Sequence, residues 1–430
     1  MNNSCNSDNI WKNNSILVLN PKKYDEVKDD SVEYIIGMIR NSFLNSYVFY
    51  FYDSILINGI KKTETQIKNL IKANNISIVF FAPHGSNYEL PVEFFKSLKD
   101  ESKVKNVLWV WDDEMIFDAL SKYYAQAFDA AITSDYYATF AYQKLGIPSL
   151  YFFSRWSKKD FYPVNTVKDI EVSFLGNCTK TDRMEYINYL KENGINVETF
   201  GKGSENGIVK KERLSEICSR TKINLNFTKV DSPSIYAWFL EDNTLTKLVR
   251  HHKCRPIDAA MTRSFCLSEY APSLGIVFEI GKDIEVFYNK EDLLEKVRYY
   301  LENEDIRIQM ANNAYEKIVN IYEADIFIPK LMEELCDILS NHLYAQRESI
   351  IYKDSIFKKN HINQLTFIMF YQLLKLKFRP ALETFINLFQ YGFGIFMISF
   401  FKGTKRAILR MYYEIAENLQ TVLAKKRLHQ

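Results

Sequence analysis

The sequence predicts an α/β chain built as two successive Rossmann-like halves, and three observations carry that expectation. Short apolar runs recur from Ser15 to Phe278, separated by stretches with helical spacing and closed by Gly, Pro, Asn or Asp. The alternation breaks once, near Trp156–Thr166, and then resumes. The 430 residues exceed one ordinary core. Strands spaced by helices make right-handed βαβ units and hence parallel sheets.

Taken in order, Ser15–Asn20 reads as a buried strand, Val32–Phe43 as a helix and Tyr47–Tyr52 as a strand. Glu64–Ala73 is amphipathic, and Ile76–Phe81 is a strand that ends at Ala-Pro-His-Gly. Leu90–Lys99 is helical, and Val107–Trp111 is a strand stopped by Asp112, Asp113 and Glu114. Trp109 and Trp111 alternate with Val110 and read as core. Ala130–Thr133 is a strand, Tyr136–Leu145 a helix closed by Gly146, and Ser149–Phe153 a strand. The second half repeats the pattern: strand Ile170–Leu175, helix Thr181–Asn193, strand Val197–Phe200, helix Arg213–Arg220 and strand Lys222–Phe227. Strands at Phe265–Ser268 and Val277–Phe278 follow, then helices Glu291–Glu302 and Arg307–Ile321.

Composition excludes several classes. A net charge of +2 gives no general nucleic-acid binder. The six cysteines are scattered, without C-x-x-C spacing, and read as reduced thiols. The N-terminus lacks the basic start and apolar run of a signal peptide, and metal, P-loop and G-x-S-x-G patterns are absent. Charge is uneven: from Arg347 onward, 14 Lys/Arg face 5 Asp/Glu, a net +9 that leaves −7 on the rest. A separate role for the tail follows.

The densest chemical signal is the stretch from Lys253 to Met261. Lys253, Arg255 and Asp258 fall within about one helical turn, shortly before the strand that Glu269 follows. A bound anion needs cations or free N–H groups, and a ribose needs a carboxylate to accept from its hydroxyls. A helix start carrying both reads as a nucleotide diphosphate site. The plain alternative is an amphipathic helix with surface charges.

Three blocks together resemble the CgeB-like branch of GT-B glycosyltransferases, related to glycosyltransferase group 1. They are Val107–Asp113 through Asp129 and Asp135 to Gly146-Ile-Pro148; Val172–Asn177 with Arg183 and Gly194; and the Lys253 stretch through Phe278–Asp283 to Asn303 and Arg307. The similarity runs from Ile76 to Ile321. It implies a GT-B fold with two Rossmann-like domains facing a cleft, residues 1–155 for the acceptor and 156–342 for the donor, with 343–430 as a mainly helical extension. It implies hexosyl transfer of the retaining kind, without metal or other cofactor, from a nucleotide sugar to a cell-surface glycan, lipid-linked or protein acceptor.

By that resemblance, Lys253 and Arg255 meet the charge of the departing diphosphate, with Arg183 and the Gly176–Asn177 turn in support. Asp258 accepts from the ribose. Glu269 contacts sugar or nucleotide, or else is a solvated loop acid. Related retaining enzymes carry Glu-x7-Glu, but Arg250 stands eight residues before Asp258, which leaves retention or inversion open. In the first half, His84 and Asp113 lie at strand ends facing the cleft and suit a base on the acceptor hydroxyl. His84 also reads as a turn residue, and the Asp112–Asp113 pair as a helix cap.

The tail holds a basic, aromatic segment, Leu365–Arg379, and an uncharged run, Thr384–Phe401, too short and polar to span a bilayer. It fits either a helix lying on an anionic membrane, at the cytoplasmic face, or a hairpin packed on the enzyme or on another subunit. Two other functions stay open: an inactive GT-B scaffold used for binding or assembly, and a sugar-nucleotide epimerase.

Overall fold

The computed structural model describes residues 10–21, 30–83, 90–180, 182–230, 249–341, 356–389 and, with interruptions, 394–415. Two parallel sheets organise them. The first contains β1 (Ser15–Asn20), β2 (Asn45–Tyr50), β3 (Ile78–Phe81), β4 (Lys105–Val110), β5 (Ala130–Thr133) and β6 (Ser149–Tyr151), in the order β2-β1-β3-β4-β5-β6. The second contains β7 (Ile170–Leu175), β8 (Val197–Phe200), β9 (Thr221–Asn226), β10 (Phe265–Glu269) and β11 (Glu285–Phe287), in the order β11-β10-β9-β7-β8. In each sheet the strand order reverses once, between β1 and β3 and between β7 and β9, and ligands of such sheets bind beyond the strand ends there.

Side chains alternate across the first sheet with the period of two that a strand imposes. Ile16, Val18, Phe80 and Trp109 face one layer; Leu17, Leu19, Phe81 and Leu108 face the other. Because helices cover both faces, these strands read as unbroken apolar runs. Trp109 is buried and Trp111 packs on it with ring centroids 4.6 Å apart, as core residues do.

The covering helices connect the two lobes. The helix Ala324–Asn341 follows the second sheet in sequence, yet Ile328, Leu331, Met332 and Leu335 pack on the first, beside Ile35 and Ile39. The chain therefore crosses between lobes twice. At the crossing, Ser154 Oγ donates to Tyr322 O at 2.8 Å, and the buried Glu323 accepts from the Lys158 N–H at 2.8 Å. The tail also joins the first lobe. Helices Ile356–Leu374 and Phe378–Phe389 form a hairpin whose Ile362, Leu365, Ile368 and Leu388 share a core with Phe51 and Ile55. Gln372 Nε2 donates to Ile55 O at 3.0 Å, and Glu383 Oε1 accepts from the Lys61 N–H at 2.9 Å, at the start of the helix Ile60–Ala73. Of the two expectations for the tail, packing on the enzyme is observed for this hairpin.

Two local expectations change. The strand expected through Tyr52 stops at Tyr50, and Phe51–Asn58 is a helix that buries Phe51, Tyr52 and Ile55. The strand expected at Val277–Phe278 is the end of a short helix, Leu274–Val277; the edge strand β11 comes later, after a turn at Gly281, whose φ is +84°. Short apolar runs suit a buried helix turn as well as a strand.

Candidate functional site

The second sheet's switch point is occupied by Arg255. It begins the helix Arg255–Met261, and its guanidinium reaches back across the sheet end. Nε donates to the carbonyl of Leu175, the last residue of β7, and Nη1 donates to Asn226 Oδ1, at the end of β9, at 3.2 Å. The ring of Phe174 lies 5.0 Å from the guanidinium carbon. Gly176 makes this approach feasible: a Cβ there would overlap Arg255 Nη2. Among the described residues Nη2 has no hydrogen-bond partner.

Other cations converge on the same place. Arg183, at the start of the helix Arg183–Glu192, is buried and donates through Nη1 to Asn177 O at 2.8 Å. Asn177 Oδ1 accepts from the Thr179 N–H at 2.9 Å and so shapes the turn after β7. Lys253 sits in the left-handed backbone region, with φ +56°, and its ammonium makes no hydrogen bond or ion pair among the described residues. Burial, then repulsion from Arg255, Lys180 and Arg183 opposed by Asp112, pushes Lys253 down to about 8. Burial and Arg183 likewise push Arg255 down to about 9. Cations held together against their own repulsion and desolvation are suited to an anion, because a bound anion would relieve both costs. Side chains rather than the helix end supply it: Pro256 has no N–H, and the N–H groups of Ile257 and Asp258 already bond Cys254 O.

Asp258 has a different occupation from the one expected. Its Oδ2 accepts from Arg155 Nη1 at 2.6 Å and its Oδ1 from Trp156 Nε1 at 2.8 Å. Both oxygens tie the helix to the linker between the lobes, a fastening that the sequence reading did not include. Asp113 is also corrected. It does not face the cleft; it is buried, accepts from Tyr142 Oη at 2.9 Å, and is pushed up to about 6 by desolvation. His84 lies outside the described residues.

Glu269 ends β10 and is buried, not solvated. Its Oε2 accepts from the Thr228 and Lys229 N–H groups at 2.9 and 3.0 Å. Oε1 lies 3.4 Å from Arg250 Nε and 3.7 Å from Lys229 Nζ. Arg250, eight residues before Asp258, is thus paired with an acid delivered from β10. Glu269 and Arg250 border a cavity of about 420 Å³ between the lobes, to which the first lobe contributes Glu114, Asp135 and Tyr137.

Three residues at the lobe boundary had no site role in the sequence reading: Arg250, Glu114 and His251. Glu114 and the Nδ1 of buried His251 meet across the cleft. Burial lowers His251 well below the usual histidine range, and His252, which contacts Ser273 Oγ at 3.1 Å, falls to about 3 for the same reason. Asp112, Glu114 and His251 place ligand atoms within 4.8 Å of one another and are the group that could hold a metal ion among the described residues. No motif spacing announces them, since they come from two lobes.

Comparison with known proteins agrees with this architecture. Residues 171–331 match the family model described as glycosyl transferase-like. Sucrose-phosphate synthase from Thermosynechococcus elongatus superposes with a TM-score of 0.56 at 9% identity, over 76% of this chain and 99% of that one. Anabaena HepE in complex with UDP-glucose gives 0.56 at 9% identity, over 75% and 99%. A glycosyltransferase from Rickettsia africae gives 0.55 at 11% identity, over 77% and 100%. The fold is the GT-B fold. No curated protein sequence matches the chain.

Proposed function

We infer that the protein is a glycosyltransferase that moves a sugar from a nucleoside diphosphate to an acceptor bound in the cleft. One observation carries this reading: Arg255 bridges the ends of β7 and β9 at the switch point, with Lys253 and Arg183 beside it. A leaving diphosphate gains negative charge as the glycosidic bond breaks, and fixed cations in a water-poor site stabilise that change without having to reorganise. These side chains take the part that a divalent ion plays elsewhere, so turnover is metal-independent in this reading. The donor sugar points toward Glu269 and Arg250, and the acceptor hydroxyl approaches from Glu114 and Asp135. Lipid-linked or surface glycans of the cell envelope, elongated at the cytoplasmic face, are the acceptor class proposed. The UDP-glucose bound by HepE makes uridine diphosphate sugars the first donors to try.

The test is release of nucleoside diphosphate from a panel of UDP-, GDP- and dTDP-sugars, with envelope lipid extract as acceptor. Release with one donor, lost in Arg255→Ala and unchanged by chelator, is the expected result. Product from donor alone would indicate epimerisation, and no turnover with any donor would leave a binding scaffold. The scaffold reading has the arginine at position 250 in its favour, where related enzymes present an acid.

A further inference from the structure

The tip of the tail hairpin is apolar and basic at once. Residues 373–379 read Leu-Leu-Lys-Leu-Lys-Phe-Arg, and each is exposed. Leu376, at the turn, is 73% exposed and has φ +58°. A leucine there forgoes burial and holds a backbone region that Gly or Asn adopts more easily. The apolar surface continues along the helix Phe378–Phe389. Its inner face, with Ala381, Thr384 and Leu388, is buried on the first lobe. Phe378, Leu382, Ile386 and Phe389 recur every three or four residues on the outer face and remain 47–64% exposed. A helix apolar on both faces is ordinarily covered on both; among the described residues one face is covered.

Charge indicates the cover. Lys375, Lys377 and Arg379 alternate with the apolar residues, and no Asp or Glu occurs between Asp354 and Glu383. Glu383 itself is turned inward to the Lys61 N–H. A protein partner would have to offer carboxylates interleaved with apolar pockets at the same spacing. An anionic bilayer offers that layering everywhere: phosphates at the depth of the ammonium and guanidinium groups, hydrocarbon just below for Leu376, Phe378 and Leu382. We propose that this corner docks the protein on an anionic lipid bilayer, with the helix Phe378–Phe389 lying in the interfacial plane. No helix of the described residues is long and apolar enough to cross a membrane, which suits lying on the surface. The inference does not depend on sugar transfer, because no cleft residue takes part.

Flotation of the full chain with vesicles tests it, using phosphatidylcholine alone and phosphatidylcholine mixed with phosphatidylglycerol. The protein is expected to float with the anionic vesicles and to be released by salt. The triple charge reversal Lys375→Glu, Lys377→Glu, Arg379→Glu should lower partitioning on the order of a hundredfold, about fivefold or more per cation. The triple substitution Leu376→Ser, Phe378→Ser, Leu382→Ser should also abolish flotation, with melting unchanged because these side chains are exposed. Absence of flotation, or flotation equal for wild type and charge reversal, overturns the proposal. So does a dimer in sedimentation that the serine variant dissociates, since the face would then belong to a second copy.

Discussion

In the proposed function Lys253 and Arg255 meet the diphosphate charge, and each makes its own prediction. Arg255→Ala removes a guanidinium that holds two strand ends and has donors to spare. At about 1.5–3 kcal/mol per charged hydrogen bond, nucleotide affinity should fall tenfold or more in calorimetry. Gly176→Ala should produce the same loss indirectly, by pushing Nη2 out of place; retention of full affinity would show that the Arg255 position is unimportant. Lys253 gives a pH signature. Its ammonium loses a proton as pH rises through about 8 in the empty site, instead of 10.5, so diphosphate affinity should be highest below pH 8 and fall above it. Lys253→Met should bind more weakly at neutral pH and lack the loss of affinity centred at about 8. The shift has the opposite sign for folding: between about 8 and 10.5 the folded chain binds fewer protons than the unfolded one, so the cost of this buried charge fades as pH rises. At this scale the sequence showed the cations clearly, because Lys253 and Arg255 are neighbours in the chain. It did not show the partners of Asp258 and Asp113, because Arg155, Trp156 and Tyr142 are 29 to 103 residues away.

Elements that complete one βαβ unit were legible, and elements that cross between units were not. The strands Ala130–Thr133, Ile170–Leu175 and Val197–Phe200 stand where their apolar runs put them. Glu269 could be placed after a strand, but its burial follows from the N–H groups of Thr228 and Lys229 on the neighbouring strand end. The helix Ala324–Asn341 shows helical spacing in the sequence, yet its docking on the far lobe depends on a linker whose path no local pattern states. Asp258 fixes that linker to the helix Arg255–Met261. Asp258→Ala should leave Arg155, which is mostly buried, without this partner and cost about 3 kcal/mol in a denaturant melt. An unchanged midpoint would mean that the two segments are held by Trp156 packing alone.

The whole molecule is two GT-B lobes, with the tail built into the first. Charge asymmetry marked the tail as a separate unit, but Ile362, Leu365, Ile368 and Leu388 place part of it in the core with Phe51 and Ile55. Deleting residues 356–430 should therefore lower the melting temperature and expose apolar surface, rather than release an intact enzyme; an undisturbed melt would contradict that packing. The central claim remains that the second lobe grips a diphosphate at the ends of β7 and β9. The most direct measurement is calorimetric titration of uridine and guanosine diphosphates into the full chain and into Arg255→Ala and Lys253→Met. The account predicts saturable binding of at least one nucleotide by the wild type, weakened tenfold or more in both variants. Binding of equal strength in all three proteins would contradict it.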